Sequence, residues 1–296
     1  MSTKDIYFGT FGFVIKKFLL GLASILACVL FALIFIPLVT KIGMFSIILW
    51  IILSAAVYGI LNRYLGYMIK VGHIAVISKA VVDGAIPENS WSYAVASVKK
   101  RFISANVYYV IDNLVSGAVK QINGVVDKAD SLLGGIPGVS AVLSFAKMFI
   151  NISLGYIDEC CLAYTFFRPE ENAFKCACDG VVIYFQNWKK LLKSAAVTAL
   201  IVVGVTLLFS VVPFILFGLI ISAIGFNFLY ALIPAVLLGM SLKSAFLDSF
   251  ILIRTMKSYM EVAPSTELKV DIYDKLCKLS SKFKSLFNKS SEPAQV

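Results

Sequence analysis

The chain has 296 residues, 59% of them hydrophobic and only 15% charged, with a mean hydropathy of +0.88 and a net charge of +10. Soluble domains carry about a quarter charged residues, because a globule must face water with polar surface. The composition excludes that class and fits a chain bathed in lipid, long enough for roughly four to six crossings at about 20 residues each.

Lys16 and Lys17 precede a first apolar span, 18–40. A secretory h-region runs about 7 to 15 residues and ends at a small-residue cleavage site. This run continues to Pro37 without one and reads as a retained span. Lys41 to Gly43 form a short turn. A second span covers 44–69, its apolar run closing at Asn62 and Arg63. His73, just beyond, is most simply an interfacial histidine, with proton sensing as the alternative.

Two central segments are apolar but carry polar residues. The first, 102–122, holds Asn106, Asp112 and Asn113; the second, 140–167, holds Lys147, Asn151, Asp158 and Glu159. Gly134, Gly135 and Pro137 mark a break between them. The pair either crosses or forms a re-entrant hairpin. Next, 174–193 mixes apolar and basic residues beside Trp188, the chemistry of an amphipathic helix at the headgroup boundary. Two further spans, 195–224 and 226–253, are divided by Gly225. Pro213 and Pro234 inside them predict kinks. Gly204, Gly218 and Gly239 predict close helix approach in lipid.

The expected fold is therefore all-α: a polytopic transmembrane helix bundle of four apolar spans plus two polar central helices, with cytoplasmic amphipathic helices. It divides into a membrane domain, 1–263, and a basic amphipathic tail, 264–296. In the tail Ile272, Leu276, Leu279, Phe283 and Phe287 recur at helical spacing, with lysines on the other faces. An interfacial anchor on anionic headgroups is the first reading of that pattern, and a partner-docking helix the second.

Lys and Arg concentrate in alternate loops, from Arg63 to Arg101, from Arg168 to Lys193 and after Arg254, which places both termini in the cytoplasm of a cell membrane. These charges cap apolar spans, so the basic balance argues topology and no nucleic-acid partner. The paired thiols Cys160–Cys161 and Cys176/Cys178 lack the spacing of zinc sites, where two or more residues separate paired ligands. No metal or cofactor is expected; the cysteines read as packing residues or as acylation sites at a membrane edge. No phosphate-binding loop, nucleophile elbow or H-E-x-x-H is present, and no enzyme is expected.

Charges at membrane depth cost roughly 2.5 to 3.5 kcal/mol on the mildest scale, so they normally face protein or a water-filled cavity. Lys147, Asn151 and Asp158 share one helical face. With Asp112 and Lys243 they form a candidate solute or ion path; ion pairing or snorkelling is the alternative.

The stretch GYIDECCLAYTFFRPEENAFKCACDGVVIYFQNWKKLLKSAAV (155–197) and the closing SLKSAFLDSFILIRTMKSYME (241–261) resemble the carboxy-terminal half of the choline transporter-like family. The likeness covers loosely 99–261 and lies in segment order more than in unique residues. Full members have more spans and a large extracellular loop, so a homo-oligomer is a further expectation for this shorter chain. The resemblance implies movement of choline or a related organic cation and supplies no ligand-contacting residue. An aromatic-lined path for such a cation has Tyr108, Tyr109 and Tyr156 as candidates. Two functional expectations result: a solute transporter or channel, and a non-transporting scaffold or assembly subunit binding anionic lipid or a partner protein.

Overall fold

Inside lipid a backbone must satisfy its own hydrogen bonds, and apolar runs of this length can do so only as helices or closed barrels. The computed structural model describes residues 1–35, 37–101, 105–131, 156–223, 225 and 227–291; all regular structure among them is helical. Among the described residues, four stretches are long and apolar enough to cross a membrane: Phe11–Phe35, Phe45–Asp83, Ile201–Ala223 and Pro234–Ser265. They match the four apolar spans of the sequence. Leu30, Leu33, Ile48, Ile52, Leu207 and Leu216 on these helices are at least half exposed. Apolar surface of that density needs a lipid solvent.

The chain divides into two compact units. The first to consider, the bundle, comprises 8–73 and 201–250. It contains α2 (Phe11–Phe35, after the short α1, Thr3–Gly9), the turn α3 (Val39–Ile42), α4 (Phe45–Ile60) and the start of α5 (Tyr67–Asp83). Gly43, at φ 63°, closes α3 with its N–H on the Val39 carbonyl. Trp50 Nε1 donates to the Cys28 carbonyl at 3.0 Å, pinning α4 to α2. A second hairpin follows. Its elements are the distal part of α10 (Trp188–Ala223), the turn at Gly225, α11 (Leu232–Leu242), a π-helical turn (Lys243–Leu247) and the start of α12 (Asp248–Met260).

Small residues set how closely these helices meet. A Cβ on Gly239 would lie 2.5 Å from the Phe209 carbonyl oxygen, and one on Gly218 would fall inside the Phe228 ring. Gly204 meets nothing within 4 Å, so it plays no such part among the described residues. Pro213 lies within α10. Pro234 instead sits in the first turn of α11, where a missing N–H removes no helical bond. It starts a helix rather than kinking one.

The second unit, the helical body, comprises 1–7, 74–200 and 251–296. Its centre is the pair α8 (Ile157–Phe167) and α9 (Ala173–Gln186). Asn172 caps α9 by accepting from the Phe174 N–H at 2.8 Å. Every residue from Cys176 to Tyr184 is buried inside the protein. This corrects the interfacial placement of 174–193: a helix at the headgroup boundary keeps one face in water, and from Cys176 to Tyr184 α9 has none. The helix also ends at Gln186, leaving Trp188 and the lysine pair to open α10. Gly180 packs on Cys161, where a Cβ would fall 3.0 Å from its Cα. Tyr259 Oη donates to the Gly180 carbonyl at 3.1 Å, and Ser78 Oγ to that of Ala163 at 3.0 Å.

α7 (Ala105–Ser131), which follows α6 (Ser90–Arg101), extends well past the predicted 102–122 and is not among the four helices apolar enough to cross a membrane. Ile111, Val115, Ala118, Val119 and Ile122 form its buried stripe. That stripe meets α8 and the tail. The second central segment is described only from residue 156 onward.

The tail folds as α13 (Val270–Leu279) and α14 (Ser281–Ser290), broken at Ser280, whose φ and ψ of −142° and 117° are extended. The break corrects the single continuous face read from the sequence. Leu276, Phe283 and Leu286 are buried, whereas Leu279 and Phe287 are exposed. α14 packs on α7 and α9. The buried part of the apolar face is thus spent on the protein itself.

Candidate functional site

The tail is held to the body by directed polar contacts as well as apolar burial. Tyr273 Oη donates to Asp179 Oδ1 at 2.6 Å. Gln121 Oε1 accepts from Ser280 Oγ at 2.6 Å and from the Lys282 N–H at 3.1 Å. Asn187 Nδ2 donates to Thr266 Oγ1 at 2.9 Å, and Gln186 Nε2 to the Glu267 carbonyl at 2.8 Å. Asp179 is only 4% exposed. Burial raises its carboxyl above the ordinary range, and the Tyr273 hydrogen bond partly opposes that. Burial and the carboxylate together push the Tyr273 phenol up. Lys269, Lys275, Lys278 and Lys284 of the seated tail are exposed, as is Lys282, whose stem crosses Gly117 of α7.

The same body buries Cys160, Cys161, Cys176 and Cys178. Burial pushes the thiols of Cys160, Cys161 and Cys178 well up. Sealed, protonated thiols suit packing and not acylation. No group of three or more metal-ligating side chains assembles among the described residues.

The bundle carries a second polar centre. Lys243 Nζ lies 2.8 Å from Asp248 Oδ1. On an α-helix positions five apart point about 140° away from each other. The π-helical turn Lys243–Leu247 widens the winding so that positions i and i+5 stack, and the pair closes. Ion pairing was the sequence's alternative to a path role for Lys243, and Asp248 is the partner that the local winding gives it. Lys17 Nζ donates to Ser249 Oγ at 3.0 Å, and Gly21 sits against Ser241. α2 therefore runs antiparallel to this strand of helix, with Lys243 about one turn inward of Lys17. His73 is not interfacial: it is fully buried, stacked on Phe13 at 5.0 Å with Nε2 2.9 Å from Thr10 Oγ1.

A groove of about 290 Å³ lies between α10 and α11. Phe209, Val211, Phe214, Leu232, Val236 and Met240 give it apolar walls. Thr206, Ser210 and Lys243 supply its polar groups. Val211, Leu232, Val236 and Met240 are about half exposed, so its mouth opens on the lipid-facing side.

The predicted path residues are distributed as follows. Asp112, half-buried on α7, and Asp158, half-buried on α8, belong to the body; Lys243 belongs to the bundle. Lys147 and Asn151 lie outside the described residues. Tyr109 is 64% exposed on α7, Tyr156 is half-buried at the start of α8, and the Tyr108 side chain lies outside the described ones.

The fold and these sites define the class: an all-α membrane protein with four helices among its described residues long and apolar enough to cross a membrane. No family model, curated protein or solved structure matches the chain.

Proposed function

We propose that the chain is a non-transporting membrane scaffold of the cell membrane, both termini cytoplasmic, whose helical body holds anionic lipid headgroups. The observation that carries this reading is the seated tail. Leu276, Phe283 and Leu286 are buried as the tail packs on α7 and α9, and Lys269, Lys275, Lys278 and Lys284 are left exposed. Each lysine near an anionic surface contributes about 1 kcal/mol of attraction, so a fixed row of them retains acidic lipid. The bundle supports the same reading, since Lys243 is engaged with Asp248 and Lys17 with Ser249. The full chain in nanodiscs of mixed phosphatidylcholine and phosphatidylglycerol tests it. Replacing Lys269, Lys275, Lys278 and Lys284 by Gln should reduce the phosphatidylglycerol retained on the protein, and equal retention would refute it.

Transport of choline or a related organic cation is the second reading. Tyr109 and Asp112 are three residues apart on α7, neighbours on the helix surface. A ring beside a carboxylate is the pairing that binds a quaternary ammonium. Uptake of labelled choline into proteoliposomes, lost in Asp112→Asn, would establish this reading and displace the first.

A further inference from the structure

We propose that the groove between α10 and α11 seats one phospholipid, its acyl chain along the groove and a zwitterionic, primary-amine headgroup on the Lys243–Asp248 pair. The inference uses bundle residues alone and does not depend on the lysine face of the tail. Length argues first. From Leu232 to Lys243 the groove follows α11 for eleven residue steps, about 16 Å. Half of a bilayer's hydrocarbon core is about 15 Å. A single acyl chain lies in it at full extent, with its polar end at Lys243.

Charge argues second. Lys243 and Asp248 retain 40% and 32% of their side-chain surface, so each has an open face for a second partner. A phosphate on the ammonium and an amine on the carboxylate complete a four-charge ring. A purely anionic headgroup would meet Asp248 with repulsion. The third argument is Thr206. Its Oγ1 is sealed from solvent and has no hydrogen-bond partner among the described residues, whereas neighbouring Ser210 Oγ donates to the Thr206 carbonyl at 2.9 Å. The antiparallel register that sets Gly239 against Phe209 brings Thr206 level with Lys243. The ester carbonyls of a lipid lie at that depth, just below its headgroup, and would accept from this hydroxyl once its side chain rotates toward the groove that Thr206 lines.

The test uses the full chain in nanodiscs with a phosphatidylethanolamine carrying a diazirine on its acyl chain, read by peptide mass spectrometry after illumination. Adducts should concentrate on 206–214 and 232–240. Ser210→Trp fills the groove from an exposed position and should lower those adducts about tenfold, a loss of about 1.4 kcal/mol in binding. Ala235→Met, filling from the opposite wall, should act alike if the first variant fails to fold. Leu30→Trp, on the exposed face of α2, should leave them unchanged. Lys243→Gln should reduce labelling toward that of a diacylglycerol probe with the same chains. Adducts spread evenly over the exposed faces of α2 and α4 would overturn the proposal, as would labelling insensitive to both filling variants. Equal labelling by a phosphatidylglycerol probe would overturn the headgroup assignment.

Discussion

Replacing Tyr273 by Phe removes one hydroxyl and keeps the ring, which sits 6.5 Å from that of Phe283 and 5.7 Å from that of Phe287. What is lost is the donor to Asp179, a carboxylate that is 4% exposed. Hydrogen bonds to charged groups contribute about 1.5 to 3 kcal/mol, and a buried acceptor left unmatched carries its full desolvation cost. Tyr273 itself is half-buried, so water entering at that edge offsets part of the loss. The expected effect is therefore near the lower bound, about 1.5 kcal/mol, or roughly a tenfold shift toward the undocked tail. Hydrogen exchange in nanodiscs reads this directly. The Ser280 N–H, bonded to the Leu276 carbonyl, and the Lys284 N–H, bonded to that of Ser280, should exchange about tenfold faster. Combining Tyr273→Phe with Asp179→Asn should cost less than the sum of the two, because the orphaned charge is gone. Unchanged exchange at both amides would show that this bond does not hold the tail, and the reasoning would fail.

Asp179 also makes docking depend on pH. Its folded-state carboxyl is raised above the ordinary value, so its favourable contribution is fully present below about pH 4 and is lost as pH rises through the raised value. Tail protection should therefore weaken from about pH 4 upward, and Asp179→Asn should flatten that slope while still accepting from Tyr273. A slope unaltered in the Asn variant would assign the dependence elsewhere. Thiol labelling with a maleimide should spare Cys160, Cys161, Cys176 and Cys178 in the folded protein and reach Cys277, which is half-buried, first. Early modification at Cys178 would contradict the buried core of α9. Gly239→Leu should separate α10 from α11, since even a Cβ there would lie 2.5 Å from the Phe209 carbonyl oxygen. Overpacking of this kind costs about 1 to 3 kcal/mol, read as a lowered thermal transition in detergent, with the same change at Gly204 nearly silent.

The four spans were legible because lipid imposes one demand on sequence: about 20 consecutive apolar residues with few charges, wherever they lie in the fold. Gly43 and Gly225 were legible as breaks because their positive φ angles suit glycine. Tertiary structure alone decided what covers each amphipathic face. Periodicity identifies the apolar side of α7, α9 and α14, but the same stripe forms whether its cover is a membrane or another helix. Here the cover is protein, and so α9 lies inside the body and the tail lies on it. Ion pairing was legible as an alternative for Lys243, and its partner was decided for a related reason. Residue spacing becomes proximity only through the local winding, and a single π-helical turn joined two charges that α-helical spacing keeps apart.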